Sequence, residues 1–335
     1  MRNIIIFGSI AQTSLENKYL SAFKKLKEFS KIYDTDLYFP KFFKKKFLNN
    51  LFLYPRIFFN SLLLLIICLR SKNKIIIIFK GQFFLGFIIN YLKNKNKHFF
   101  VNINGDDPFN FSLIDISTKN LIRSLSSYDL VFTWSKNILR SIKGLKLECK
   151  IEYLPFAYDE IVKNFAKRIK REKVIFYGSW DLNREKFLNE LKNDDVHIFG
   201  DGWKNCSFNF FHRDRLFTKE INRKKILKEI SKSYAVINMF RKQNYSSHNM
   251  KSFEIPAYGG IQFSEYSKEL ESFFKKNKSI FFYRSAKDLT KKLKIFKKKK
   301  KFDQYIKYAL ESVSNQSYKE RAKKVLDYVY KYKKN

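Results

Sequence analysis

The sequence predicts an α/β protein made of two doubly wound, parallel-sheet domains facing a cleft. Three observations carry that expectation. Strand-like apolar runs alternate with helix-spaced segments along most of the chain. One run, Lys74–Phe79 (KIIIIF), is continuously apolar, which suits a parallel strand buried on both faces. The rhythm also starts twice, at Asn3–Gly8 and at Lys173–Gly178, each time as a strand ending on glycine. A length of 335 residues fits two domains of roughly 150 each.

In the first half the apolar strand Asn3–Gly8 precedes a helix-spaced segment, Leu15–Phe29. Lys74–Phe79 is the next strand and Phe84–Leu92 a helix. Phe99–Asn104 is a strand that runs into Gly105-Asp106-Asp107-Pro108, and a helix is expected over Leu113–Leu125. Leu130–Trp134 is a strand, Ser135 caps the helix after it, and Glu148–Tyr153 closes this half. The boundary is expected at Leu154-Pro155-Phe156, giving a first domain over 1–155 and a linker over 156–172.

The second domain is expected over 173–315. Lys173–Tyr177, Val196–Phe199, Ala235–Phe240, Gly260–Ser264 and Ser279–Phe282 read as its strands. Asn183–Leu191, Lys219–Ser231 and Asn249–Tyr258 read as its helices, and Phe208–Phe217 as irregular. Lys287–Tyr332 is helical and Lys-rich, with 316–335 forming a last helix that returns to the first domain. No repeat of 20–50 residues is visible.

Composition narrows the class. The chain has 68 Lys and Arg against 31 Asp and Glu, a net charge of +37, and 45% hydrophobic residues. So much apolar and aromatic content excludes a disordered chain. Three widely spaced cysteines without a CxxC pair argue against a disulfide framework or a Cys-based zinc site, and fit reduced thiols in the cytoplasm. The charge reads either as drift toward Lys, Asn, Ile, Phe and Tyr in an AT-rich genome, or as attraction to an anionic partner. Of the basic residues 54 are Lys and 14 Arg, which favours diffuse attraction over base reading.

Met1–Gly8 carries too short an apolar run for a signal peptide and reads as a core strand. The most apolar stretch, Ile57–Leu69, is 13 residues between Arg56 and Arg70, short of the roughly 20 that a spanning helix needs. It reads as a core helix or as a monotopic membrane contact.

Candidate chemistry falls where strands end. Around Ser246–Gly260 small polar residues precede a short helix closed by glycine. The start of such a helix offers N–H groups and a positive dipole end to phosphate. Lys251 would add a point charge, Arg241 a planar fork, and Glu254, one turn in, an acceptor for vicinal hydroxyls. The plain alternative is that Ser246 or Ser247 caps a helix and Glu254 is a surface acid. Gly178-Ser179 reads as a turn or as a ligand loop in which glycine lets backbone approach a diphosphate. Asp106 and Asp107 read as a divalent-metal pair, as a general base or acceptor-hydroxyl ligand, or as an Asp-Pro turn. His98, His197 and His212 fit structural roles. His248, in the loop before the helix, reads as a contact to the diphosphate or the leaving group.

The stretch His248–Gly260 (HNMKSFEIPAYGG) resembles the HNxR-x-FE-x-x-ACG element of the CgeB-like (spore-maturation-protein-like) glycosyltransferases, two-domain GT-B enzymes related to the group 1 transferases. Asp106-Asp107-Pro108 with Tyr128–Thr133 is similar to their DDP…YDxVFT pattern, Gly200–Trp203 to YGxGW, and Ser317–Arg321 to HTYxxR. The resemblance implies a GT-B fold and a nucleotide-sugar donor held mainly by the second domain. The implied donor set is Gly178, Ser179, Gly202, Trp203, Arg241, Ser247, Asn249, Lys251, Ser252 and Glu254, with Glu254 on the ribose and Trp203 either near the base or in the core. Asp106, Asp107 and His248 are the catalytic candidates. No metal or other cofactor is expected. The chain departs from the family at Ser246, where related enzymes carry a carboxylate, at Lys251 for Arg, and at Tyr258 for Cys.

Sugar transfer from that donor to a hydroxyl of a glycan, lipid-linked or protein acceptor is the leading expectation, in cell-surface polysaccharide or glycoconjugate synthesis. Peripheral contact with an anionic membrane is expected through the Phe-rich segment Phe42–Phe59 with Lys44-Lys45-Lys46. A degenerate GT-B fold that binds without turnover is the second class. Nucleic-acid binding is the third, and no RRM, KH, zinc-finger or helix-turn-helix signature supports it.

Overall fold

The computed structural model describes residues 3–36, 53–109, 116–159, 171–191, 195–217, 223–241, 244, 246–299 and 302–333. The chain divides into unit 1, Met1–Pro155 with Tyr318–Asn335, and unit 2, Phe156–Ser317.

Unit 1 contains β1 (Asn3–Gly8), α1 (Leu15–Lys25), β2 (Phe29–Asp34), α2 (Leu53–Leu69), β3 (Ile75–Phe79), α3 (Gly86–Asn96), β4 (Phe99–Asn104), α4 (Ile116–Ser124), β5 (Leu130–Thr133), α5 (Lys136–Gly144) and β6 (Lys150–Tyr153). Unit 2 contains β7 (Lys173–Tyr177), α6 (Leu182–Asn189), β8 (Val196–Phe199), β9 (Leu216–Phe217), α7 (Arg223–Ser231), β10 (Ser233–Asn238), α8 (Lys251–Ala257), β11 (Gln262–Glu265), α9 (Lys268–Glu271), β12 (Phe281–Tyr283), α10 (Ala286–Lys297) and α11 (Phe302–Val313). The last helix, α12 (Tyr318–Lys333), belongs to unit 1.

Among the described residues both sheets have six strands, and every pairing is parallel. In unit 1 the order is β2-β1-β3-β4-β5-β6, with Ile6 opposite Ile77 and Ile77 opposite Val101. Every residue of β3 and β4 is buried, which is why β3 reads as an unbroken apolar run; β4 (FFVNIN) is apolar apart from the buried Asn102 and Asn104. In unit 2 the order is β12-β11-β10-β7-β8-β9. Its core joins Phe176, Trp203, Phe210, Ile237, Phe263 and Phe296.

Helix starts follow local chemistry. Side chains of Ser14, Ser135, Asp181, Ser267 and Ser285 accept from backbone N–H groups in the first turns of α1, α5, α6, α9 and α10. α12 is tied into unit 1 by Arg321 Nε donating to Pro155 O (2.9 Å), Lys324 Nζ to Tyr153 O (3.1 Å), and a ring contact between Tyr318 and Tyr19.

Several sequence expectations change. The first helix stops at Lys25, with Lys27 in the left-handed region, and Phe29 opens β2 instead of closing a helix. β2 is a sheet edge and only partly buried, so its run FSKIYD lacks the apolar signal of a central strand. β9 lies inside the stretch expected to be irregular. The expected linker core at 160–170, the helix starts at 113–115 and 219–222, and the Lys-rich portion of the Phe42–Phe59 segment lie outside the described residues. Cys68, Cys149 and Cys206 are free and buried. Among the described residues no helix is long and apolar enough to cross a membrane.

Candidate functional site

Doubly wound sheets bind ligands beyond the carboxyl ends of their strands, where the winding reverses. In unit 2 the chain winds outward from β7 through β8 to β9 on one side and from β10 through β11 to β12 on the other. The reversal therefore lies between β7 and β10.

Gly178 leaves β7 at that point. Its N–H donates to Phe199 O (2.7 Å) and its carbonyl accepts from Trp203 Nε1 (2.8 Å). A Cβ on Gly200, whose φ is 149°, would stand 2.2 Å from Gly178 O. The two glycines thus let the ends of β7 and β8 touch, and Trp203 fastens them. Trp203 is wholly buried, its ring against Phe176 and Phe210. Of its two readings the core one describes the structure. Gly202 supplies a left-handed turn (φ 81°) beside Trp180.

Three cations gather at the end of β7. Lys251 Nζ donates to Tyr177 O, and the ammonium lies 4.6 Å from the Tyr177 ring centre. A Cβ on Gly178 would come within 2.6 Å of that nitrogen, so glycine there leaves it room. Burial first, then repulsion from Arg184 and Arg241, pushes the Lys251 ammonium down to about 7, against the pull of Glu254. Arg184, buried in the first turn of α6, donates to Ser179 O (2.7 Å) and has Asp181 Oδ2 3.3 Å from its Nε. Burial lowers its pKa, with Asp181 opposing and Arg241 reinforcing. Arg241 is exposed beyond β10. Such mutual repulsion among cations is relieved by a bound polyanion.

α8 starts differently from expectation. Neither Ser246 nor Ser247 caps it. Asn249 Oδ1 accepts from Ser252 N–H (3.0 Å) and Ser252 Oγ accepts from Asn249 N–H (3.2 Å), a reciprocal pair that Asn238 extends to β10. Asn249 and Ser252 thereby hold Lys251 and Glu254 in place. Glu254, partly buried in the first turn of α8, acts electrostatically on both Lys251 and Tyr177. Ser246 is exposed with φ 63°. The loop between Arg241 and Ser246 is described only at Asn244, whose side chain donates to His248 O (2.9 Å).

His248 corrects its expected role. The ring is wholly buried, in edge contact with Phe156, Phe253 and Phe273. Nε2 accepts from Phe156 N–H (3.2 Å), which places the proton on Nδ1, facing Ser247 Oγ (3.2 Å) and Glu269 Oε1 (3.3 Å). With both nitrogens engaged inside the fold, His248 anchors the loop and does not present a ring to a leaving group. Ser247 is likewise buried against it.

Sequence reasoning missed Arg184 and Glu265. Glu265 ends β11 and accepts from Phe240 N–H (2.7 Å); burial raises its pKa to about 7, with Arg184 opposing. It lines a pocket of about 490 Å³ with Phe187, Phe240, Tyr266, Tyr283 and Arg284, whose guanidinium lies 3.9 Å from the Tyr266 ring centre. The available signal for Arg184 was a cation in the first turn of a helix, where the dipole favours acids.

Asp106 and Asp107 lie in unit 1, beyond the carboxyl end of β4. Asp107 Oδ1 accepts from Phe109 N–H (2.9 Å), the turn geometry of the third reading, and burial raises its carboxyl pKa. Asp106 is paired with Lys80 Nζ (3.2 Å). Among the described residues no group of three His, Cys, Asp or Glu is placed to hold a metal ion.

In three dimensions the chain is similar to solved structures over nearly its whole length. Sucrose-phosphate synthase from Thermosynechococcus elongatus matches at 10% identity with a TM-score of 0.71, covering 99% of each chain. An E. coli trehalose-6-phosphate structure bound with UDP-2-fluoro glucose matches at 12% identity and TM-score 0.68, over 98% of this chain and 99% of that one. The lipopolysaccharide outer core galactosyltransferase WaaB matches at 12% identity and TM-score 0.63, over 99% of each. The fold is that of the GT-B glycosyltransferases. Residues 183–327 match the family model described as glycosyl transferase-like, which spans most of unit 2. The chain spans 61% of one larger matched chain, in the GtfA/B complex. No curated protein matches the sequence.

Proposed function

We propose that the protein transfers a sugar from a nucleotide-sugar donor to a hydroxyl of a glycan, lipid-linked or protein acceptor. The observation that carries the proposal is the cation cluster of Lys251, Arg184 and Arg241 at the winding reversal of unit 2, beside a glycine loop and Glu254. The donor diphosphate lies against those cations and the Gly178-Ser179 loop, and Glu254 accepts from the ribose hydroxyls. The neighbouring aromatic pocket takes the uncharged part of the donor. As the glycosidic bond to the diphosphate breaks, charge grows on the leaving oxygen, and fixed cations stabilise it there. The reading assigns this task to the chain's own cations and to no metal. Asp106 and Asp107 are assigned to the acceptor hydroxyl in unit 1, Asp107 as the base because its raised pKa favours taking a proton.

The ordered motifs favour the CgeB-like branch, and the similarity to WaaB favours work on cell-surface polysaccharide or glycoconjugate, at the cytoplasmic face with peripheral contact to anionic membrane. The test incubates the protein with radiolabelled nucleotide sugars and membrane extracts. Label transferred from one donor, with release of its nucleoside diphosphate, supports the proposal. Tight donor binding with neither transfer nor diphosphate release overturns it in favour of a binding role.

A further inference from the structure

We infer that the outward face of α2 and α3 in unit 1 docks on an anionic phospholipid surface. This names the face behind the membrane contact proposed above, but it is read out by lipid binding, so failure of the donor assignment leaves it standing.

α2 and α3 pack side by side on one face of the unit 1 sheet. α2 buries Leu53, Ile57, Leu64 and Cys68 inward. A surface helix ordinarily shows charge on its other side. Here the outward row at a spacing of four is Tyr54, Phe58, Leu62 and Ile66, all exposed, and no charged residue lies between Arg56 and Arg70. α3 adds Phe87, 68% exposed, and Tyr91 one turn on. Soluble proteins rarely leave so much contiguous apolar surface uncovered. At 17 residues α2 is about 26 Å long by the helical rise, too short to cross a bilayer.

The charge around this face selects the occupant. From Leu53 to Gly105, all described residues, the sequence has 53 residues, eight of them Lys or Arg and none acidic. With 31 acids in 335 residues, about five would be expected in such a stretch. α2 and α3 both run opposite to the strands of one parallel sheet, so their carboxyl ends lie on the same edge. That edge carries exposed Arg70, Lys72, Lys95 and Lys97. An apolar row beside acid-free cations complements acyl chains beneath anionic headgroups. A second copy of this chain would bring the same positive face and be repelled.

The test is sedimentation of the full chain with sucrose-loaded phosphatidylcholine vesicles, with and without phosphatidylglycerol. Three variants are compared: F58S/F87S, R70E/K95E, and F208S as a control on a fully exposed ring of unit 2. Thermal melting checks that each folds. The expected result is binding to anionic vesicles only, weakened at least about tenfold in F58S/F87S, weakened and made less sensitive to salt in R70E/K95E, and unchanged in F208S. Equal binding by wild type and both double variants would overturn the inference. So would equal binding to pure phosphatidylcholine, or a lipid-free dimer, seen by sedimentation equilibrium, that F58S/F87S dissolves without any change in vesicle binding. If F58S/F87S fails to fold, R70E/K95E decides.

Discussion

Replacing Lys251 with Met should make the ligand-free protein more stable at pH 7 while removing its affinity for nucleoside diphosphates. The ammonium falls from 10.5 to about 7 because it is buried beside Arg184 and Arg241. At 1.36 kcal/mol per pH unit that is a cost of about 5 kcal/mol for keeping the charge in the fold. The residue as a whole keeps some solvent contact although its ammonium is buried, and solvent screening takes roughly half of this away. The variant also loses the hydrogen bond to Tyr177 O, about 1 kcal/mol. The net gain is about 1 kcal/mol, or roughly 2–4 °C in Tm. The pH dependence has a definite sign. The folded value lies below the unfolded one, so between about 7 and 10.5 the unfolded chain holds more protons, and the wild type gains stability as pH rises. The advantage of the Met variant should therefore shrink from pH 7 toward pH 10. Diphosphate binding needs the charged form, so wild-type affinity should fall up to about tenfold per pH unit above 7, and the variant should bind at least about 100-fold more weakly at pH 7. Calorimetric melting and titration at several pH values give all these quantities. A variant less stable than wild type at pH 7 that still binds diphosphate normally would refute the reasoning.

Gly200→Ala should destabilise by about 3 kcal/mol or more, since its Cβ would lie 2.2 Å from Gly178 O, whereas Gly144→Ala, with nothing within 4 Å, should be neutral or slightly stabilising; urea denaturation distinguishes them. His248→Ala should cost about 3 kcal/mol, because it leaves the Phe156 N–H unmet and opens a cavity among three phenylalanines, while the folded protein keeps its nucleotide affinity. Glu265→Gln should leave melting unchanged near pH 4.5 and raise it increasingly toward pH 7, because a carboxyl held up to about 7 is destabilising only once the unfolded chain has lost its proton.

How much was legible depends on how far apart the deciding groups lie in the chain. β3, β4, β7 and β10 could be read directly, since strands with both faces covered are mostly apolar; the polar members Asn102 and Asn104 of β4 and Ser233 and Asn238 of β10 are themselves buried. β2 and β9 are edge strands whose existence depends on pairing with β1 and β8, and nothing in FSKIYD or LF announces a partner. Within the site, Lys251, Glu254 and Arg241 stood out because one short segment holds them near a strand end. Arg184 and Glu265 reach the same place from other elements, so only the folded sheet brings them in. His248 was visible as a motif residue, but its burial is decided by Phe156, 92 positions away.

The most direct test of the donor site is isothermal titration of the wild type with nucleoside diphosphates and their sugars, beside Glu254→Ala and Lys251→Met. The expected result is base-selective binding that Glu254→Ala weakens for ribose-containing ligands and Lys251→Met nearly abolishes. Folded protein that binds none of them, or binds them equally in all three forms, would contradict a donor site at the winding reversal of unit 2.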